Sequence, residues 1–412
     1  MNYRISVDDK SIRGSVTLPS SKSISNRLLI IRALCPGGFS INNLSDAGDT
    51  KLLLELLSSP RSHYDAGDAG TVMRFLTAYL AAIPGEWTIT GSERMMQRPI
   101  GPLVDSLRLL GAGIDYMTCE GYPPLRITGT KLKGGKVFVD GTLSSQFISA
   151  MMLIAPMIEG GLEIIPAGKI SSQPYIEMTV GLMQHFGAGV RWDGRKILVE
   201  EKPYRGREYT VESDWSAASY WYEVAALSPS PEIFLEGLNR ESIQGDSAVA
   251  FLFESFGIQT DAAPGGVHIS RAGSAVSGSL SLDFSAIPDL AQTIFATSAM
   301  MGVRGKYTGL ESLRIKETDR LEAMDRELGK TGAKLFCDAG NVCRLEPASV
   351  KSGEQNPVFE TYGDHRMAMA LAPLALRYKS ITIKDAEVVS KSYPAFWKEF
   401  RKAGFRMDEV PG

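Results

Sequence analysis

The chain has 412 residues, of which 44% are hydrophobic and 22% charged, with 41 glycines; this length and balance exclude a disordered or fibrous chain and leave room for more than one domain. A net charge of −3 excludes a globally basic nucleic-acid binder, so any anion site must come from local clusters of cations. The cysteines (Cys35, Cys119, Cys337, Cys343) and histidines (His63, His185, His268, His365) lack zinc-ligand spacing, and no structural metal is expected.

In chain order, the start Met1-Asn2-Tyr3-Arg4-Ile5-Ser6 has no signal-peptide apolar core, and the strand-like run Ile12–Leu18 follows. Next comes Ser20-Ser21-Lys22-Ser23-Ile24-Ser25-Asn26-Arg27, leading into the apolar run 28–34. Serines where a helix begins, with Lys22 and Arg27, suit a phosphate or carboxylate at a helix N-terminus. The plainer reading is a Ser-capped surface helix. The strongest apolar run, 147–158, is about half a membrane span and contains Ser149 and Pro156. A cytoplasmic protein with reduced thiols and no membrane partner is expected.

One pattern recurs from Leu103 onward: an amphipathic segment, a glycine, then strand-like residues. The glycines are Gly111, Gly187, Gly257, Gly332 and Gly404, spaced by 76, 70, 75 and 72 residues. Each predicts a helix, a left-handed C′ stop and entry to a strand. A second series of Ala-, Ser-, Met- and Gly-rich segments follows Ser21, 68–71, 144–146, 214–216, 288–290 and 363–366. With almost no polar face, these predict buried helices. Strand composition bounded by Gly or Pro appears at 87–90, 125–128, 136–139, 162–165, 196–199 and 381–383. The pattern is six α/β units, the first trimmed, since only 47 residues separate Ser21 from Asp68. The expected architecture is two three-unit domains, sheets outside and helices inside: 20–212, and 1–19 together with 213–412.

Cations gather at the helix starts: Lys22, Arg27, Arg74, Arg98 before a helix-starting Pro99, Arg314, Lys316, Arg320, Arg366 and Lys391. Taken singly, each motif has a bland reading: a solvated face for 314–320, a ligand-free cap for Ser144-Ser145-Gln146 or Asp289, a capped turn for 363–366, packing for Tyr175. Their recurrence at one structural place in different units favours an electropositive cleft between two domains. The carboxylates among them (Asp49, Asp68, Asp289, Glu317, Asp364) would stay ionised there, as a general base requires. With no P-loop, dinucleotide signature or Ser-His-Asp arrangement, a small, multiply anionic substrate pair and cofactor-free acid–base chemistry are expected.

These motifs resemble the 5-enolpyruvylshikimate-3-phosphate synthase family over essentially the whole chain. The resemblance rests on Ser21–Arg27, Ala69–Arg74, Arg98-Pro99-Ile100, Ser144–Gln146, Pro288-Asp289, Lys316–Arg320, Gly363–Met369 and Lys391–Pro394, in order. It implies a two-domain inside-out α/β barrel of six βαβαββ-like repeats, closing on its substrates without metal or cofactor, and a monomer. The implied reaction transfers the enolpyruvyl group of phosphoenolpyruvate to the 5-hydroxyl of shikimate 3-phosphate. It implies that shikimate 3-phosphate contacts Lys22, Ser23, Arg27, Ser144, Ser145, Gln146, Ser172, Tyr175, Asp289, Ser312 and Lys316. Phosphoenolpyruvate would contact Lys22, Gly70, Arg98, Gln146, Arg320, Arg366 and Lys391, with Asp289, Glu317 and Lys22 catalytic.

Three departures stand out. Asp68 replaces the family's usual Asn, Ser312 another Asn, and the first repeat is short. Two rivals are carried forward. The UDP-N-acetylglucosamine enolpyruvyl transferases are similar to this chain but resemble a pattern with a reactive cysteine before Arg-Pro, and here 91–98 has none. A non-catalytic anion-binding member would not need Asp289 and Glu317 among its cations.

Overall fold

The computed structural model describes residues 1–273, 278–338, 340–347 and 356–411. Two compact units are present, one of Met1–Ser20, Asp46–Gly48 and Glu212–Gly412, the other of Ser21–Ser45 and Asp49–Val211. Twelve α-helices alternate in character among the described residues. They are α1 (Lys22–Leu34), α2 (Gly48–Ser58), α3 (Gly70–Ala81), α4 (Gly101–Leu109), α5 (Ser145–Ile154), α6 (Gln173–His185), α7 (Trp215–Leu227), α8 (Val249–Glu254), α9 (Ala291–Met301), α10 (Arg320–Gly329), α11 (His365–Leu371) and α12 (Phe396–Lys402).

The odd-numbered helices are buried almost all round, as their small and apolar residues require. In the unit of 21–211, α1, α3 and α5 pack on one another inside its core. In the other unit α7, α9 and α11 do the same. Short polar residues start four of them: Ser21 Oγ accepts from the Ile24 N–H, Ser144 Oγ from Gln146, Asp214 from Ala217 and Asp364 from Arg366. Each cap satisfies a donor that the helix leaves open, worth about 1 kcal/mol.

The even-numbered helices from α4 onward end at the glycines named above. Gly111, Gly187, Gly257, Gly332 and Gly404 all have positive φ, between 76° and 105°. At three of them the next N–H closes a six-residue ring: Ala112 to the Leu107 carbonyl, Ala188 to Met183 and Phe405 to Phe400. A side chain at that left-handed residue would strain the turn, which is why glycine recurs there.

Among the described residues, five four-stranded sheets share one topology, a parallel pair followed by two antiparallel strands. One example is His63–Asp65 parallel to Gly85–Thr90, with Leu125–Gly129 and Gly113–Tyr116 antiparallel beyond. The buried helix makes the crossover that parallel strands need. The first repeat keeps only Ile41–Asn42, paired with Tyr209–Thr210 in a two-stranded sheet. The N-terminal strands serve the unit of 212–412: Arg13–Thr17 runs parallel to Glu232–Glu236, and Asn2–Ser6 lies between Ile381–Ile383 and Arg406–Val410.

Two expectations are corrected. Pro99 does not start α4, which begins at Gly101 with Pro102 in its first turn, because Ile100 is still outside helical geometry as its N-cap. Nor are all thiols reduced: Cys337 and Cys343 form a disulfide. They are register partners on the hairpin of Lys334–Cys337 and Cys343–Glu346, with Cα atoms 4.0 Å apart, so strand pairing itself brings the sulfurs together. Cys35 is buried and Cys119 exposed, both free. No helix among the described residues is long and apolar enough to cross a membrane.

Candidate active site

In the unit of 21–211, the first two turns of α1 present Lys22, Ser23 and Arg27. Lys22 Nζ lies 3.0 Å from Asp49 Oδ2 at the start of α2. Arg27, 2% exposed, sits where α1, α5 and α6 meet. Its Nε donates to Thr179 Oγ1 at 2.7 Å, one Nη to the Ser23 carbonyl at 2.9 Å, and the other to Ser149 Oγ at 3.3 Å and the Tyr175 carbonyl at 3.2 Å. The rings of Phe75 and Tyr175 flank it, 5.5 and 5.8 Å from the guanidinium carbon. Burial without a compensating carboxylate brings its pKa down to about 10.

The N-terminus of α3 adjoins the next cation. A methyl group added at Gly70 would stand 2.7 Å from Arg98 Nη2, so glycine lets the helix start approach this buried guanidinium. Beside it, Gln146 Nε2 donates to Thr71 Oγ1 at 3.4 Å. Arg74 has a structural task, donating to the Pro99 and Gly70 carbonyls at 2.7 and 3.3 Å and so tying the loop before α4 to α3. Asp68, exposed, accepts a hydrogen bond from Ser92. Ser145 is buried in the first turn of α5. Ser172, the residue before α6, holds φ +58°, a left-handed conformation rare outside glycine, and its hydroxyl contacts Ser171 Oγ at 3.5 Å. Strain of this kind concentrates at functional positions.

In the unit of 212–412, α10 and α11 start against each other and build a dense ion cluster. Arg320, 2% exposed, is its centre. It donates through Nε and Nη2 to both Asp364 oxygens (2.7 and 3.3 Å), through Nη1 to Asp289 Oδ1 (3.1 Å) and through Nη2 to Glu317 Oε2 (3.0 Å). The second Asp289 oxygen accepts from Arg366 Nη2 at 2.8 Å, and Arg366 also reaches Tyr220 Oη at 3.3 Å. Lys391 Nζ lies 3.7 Å from Glu317 Oε1. Burial pushes the Asp289 pKa up, but Arg366, Lys316 and Arg320 outweigh it and hold the carboxyl well below the usual range. Burial likewise disfavours charge on Arg320, and its three carboxylates override that and raise its pKa. His365 Nδ1 stands 3.6 Å from Asp364 Oδ1. Ser312 is buried in the turn before Lys316, and its hydroxyl makes no hydrogen bond among the described residues.

Each unit thus brings its own expected residues together: Lys22 with Asp49, Arg27 with Ser23 and Tyr175, and Gly70 with Arg98 in one; Asp289, Glu317, Arg320, Arg366 and Lys391 in the other. Sequence reasoning missed Asp246 and Tyr220. Asp246 is buried and bonded to Ser216; burial and the nearby Asp289 push its pKa up to about 6. The signal for it was present in Gln244-Gly245-Asp246-Ser247, a turn sequence ahead of the part-buried α8, but nothing in its spacing tied it to Asp289. Among the described residues no group of three or more His, Cys, Asp or Glu side chains could hold a metal ion.

The sequence matches the family model described as EPSP synthase (3-phosphoshikimate 1-carboxyvinyltransferase) over residues 8–63 and 56–400. A 3-phosphoshikimate 1-carboxyvinyltransferase of Bacteroides fragilis strain YCH46 is 48% identical over 406 residues, covering 98% of both chains. One from Sulfurovum sp. strain NBC37-1 is 37% identical over 416 residues, covering 94% of this chain and 96% of that one. In fold, the chain is similar to two structures of EPSP synthase from Acinetobacter baumannii. Their TM-scores are 0.76 and 0.77 at 24% and 23% identity, covering 99% and 100% of this chain and 100% of each of those.

Proposed function

The chain belongs to the EPSP synthase family, and we propose that it transfers the enolpyruvyl group of phosphoenolpyruvate to the 5-hydroxyl of shikimate 3-phosphate, releasing phosphate. The observation that carries the chemistry is the sharing of Asp289 between Arg320 and Arg366, with Glu317 on the same Arg320.

The reaction is an addition and an elimination. The 5-hydroxyl oxygen bonds to the central carbon of phosphoenolpyruvate, the hydroxyl loses its proton, and the methylene carbon gains one. The adduct then loses that carbon-bound proton and phosphate leaves. Asp289 accepts the hydroxyl proton, and Glu317, with Lys22, serves the carbon-bound proton in both directions. In the ligand-free protein Asp289 is a weak base, because two guanidinium groups stabilise its anion. A phosphate and a carboxylate arriving at Arg320, Arg366 and Lys391 draw those cations toward themselves. Asp289 then regains proton affinity at about 1.4 kcal/mol per pKa unit. Substrate binding and base activation are thereby one event.

Phosphoenolpyruvate is assigned to Lys22, Gly70, Arg98, Gln146, Arg320, Arg366 and Lys391. Shikimate 3-phosphate is assigned to Lys22, Ser23, Arg27, Ser144, Ser145, Gln146, Ser172, Tyr175, Asp289, Ser312 and Lys316. The buried Arg27, whose hydrogen-bond acceptors are all neutral, supports an anionic ligand on the 21–211 side. The protein acts as a cytoplasmic monomer in this reading. Phosphate release from phosphoenolpyruvate that depends on shikimate 3-phosphate is the decisive assay. Release that depends on UDP-N-acetylglucosamine instead would install the rival transferase, and binding of both ligands without release would indicate the non-catalytic reading.

A further inference from the structure

Lys316 and Glu317 lie on a short loop between the turn Glu311–Ile315 and α10. The loop is closed at its base by a side chain the reaction does not use. Arg314 Nη1 donates to Asp319 Oδ2 at 3.1 Å, five residues on. The other Asp319 oxygen caps α10, accepting from the Leu321 and Glu322 N–H groups at 3.1 and 3.2 Å. Arg314 Nε donates in turn to Asn341 Oδ1 at 2.9 Å, on the hairpin that follows Cys337. Asn341 stands at φ +57°, a conformation Asn, Asp and Gly tolerate best. The hairpin is fixed independently: Asp338 Oδ1 accepts from the Gly340 and Val342 N–H groups, both at 3.0 Å, and the Cys337–Cys343 bond closes it.

We propose that Arg314 is a positioning residue, clamped by Asn341, that sets where the loop holds the substrate-binding Lys316 and the catalytic Glu317. This rests on the functional reading above. The clamp is suited to positioning rather than to holding the fold together. Arg314 and Asp319 are 38% and 29% exposed, and a pair that open to water adds little stability. A planar guanidinium donating in two directions nevertheless fixes geometry in a way an ammonium cannot. Arg320 is outside the clamp's reach, because Asp364 and Asp289 hold it separately.

The test compares Asn341→Gly, which keeps the backbone conformation and removes the acceptor, with Asn341→Asp, which keeps both. Asn341→Gly is expected to lower kcat and raise the KM for shikimate 3-phosphate, each about tenfold, since displacement by an ångström or so has effects of this order or more. The KM for phosphoenolpyruvate should stay within about twofold, the melting temperature should not move, and Asn341→Asp should restore the wild-type constants. Arg314→Lys should behave like Asn341→Gly and serves as the second variant should the glycine protein fold poorly. Wild-type constants in both Asn341→Gly and Arg314→Lys would overturn the inference. So would a uniform loss of activity with a lowered melting temperature that Asn341→Asp does not rescue. A wild-type protein that releases no phosphate would instead overturn the functional reading.

Discussion

Arg27 and Arg320 are both 2% exposed at the start of a helix, yet they are stabilised in opposite ways. Arg27 donates only to hydroxyl and carbonyl oxygens. Arg320 donates to three carboxylates. Burial lowers the pKa of the first, while the carboxylates raise that of the second. The lesson is that similar sequence surroundings produce two kinds of cation. The charge of Arg27 has no carboxylate partner among the described residues and is available to a ligand. That of Arg320 is already balanced, and a ligand reaches it only by exchange.

Removing each cation tests the contrast most severely. Arg320→Met leaves the buried Asp364 and the part-buried Asp289 and Glu317 facing one another and should cost about 3–5 kcal/mol in denaturant unfolding, with activity lost. Arg27→Met should cost less, about 1–2 kcal/mol. Its hydroxyl partners keep each other, Thr179 Oγ1 donating to the Tyr175 carbonyl at 2.7 Å and lying 3.1 Å from Ser149 Oγ. Equal losses would erase the distinction.

Asp289→Asn removes the shared base and should lower kcat by about 10²–10⁴, while calorimetry still detects shikimate 3-phosphate. Loss of that binding would make Asp289 an anchor instead. Asp246 gives a pH test of the balanced cluster. Its pKa is raised to about 6 in the folded chain, so the folded state binds the extra proton and stability falls as pH rises from about 4 to 6. Asp246→Asn should remove that fall and gain about 1–3 kcal/mol at pH 7, read from unfolding curves across the range; parallel curves would refute it.

Gly70→Ala probes the less balanced side. The new methyl would meet the end of Arg98, which must move, so the KM for phosphoenolpyruvate should rise about tenfold while that for shikimate 3-phosphate holds. The smallest effect belongs to Asp68→Asn. Removing an exposed anion should lower the KM for phosphoenolpyruvate by about twofold to threefold, and the gain should shrink at high salt.

The repeat architecture was legible because its marks are local. Five glycines require a left-handed stop, four short polar residues cap buried helices, and both series recur at one period. The ion cluster was legible only as a set of helix starts. That Asp364 both caps α11 and grips Arg320 depends on two helices meeting, and no spacing encodes it. Asp246 was invisible for the same reason. The sequence marks Arg27 as a cation at a helix start, and its fork onto Thr179 and Ser149 emerges only from the packing of three helices. The Cys337–Cys343 bond came from strand register, which six residues of separation left open.

A ribosome delivers the strand Asn2–Ser6 long before its sheet neighbour Arg406–Val410. At about 5–20 residues per second, the two are separated by roughly 20–80 s of synthesis. The core of residues 21–211 is complete by mid-chain and Arg13–Thr17 gains its partner Glu232–Glu236 soon after, whereas Asn2–Ser6 must wait for Ile381–Ile383 and Arg406–Val410. A chaperone that shields residues 1–19 during that interval would therefore protect the second unit alone.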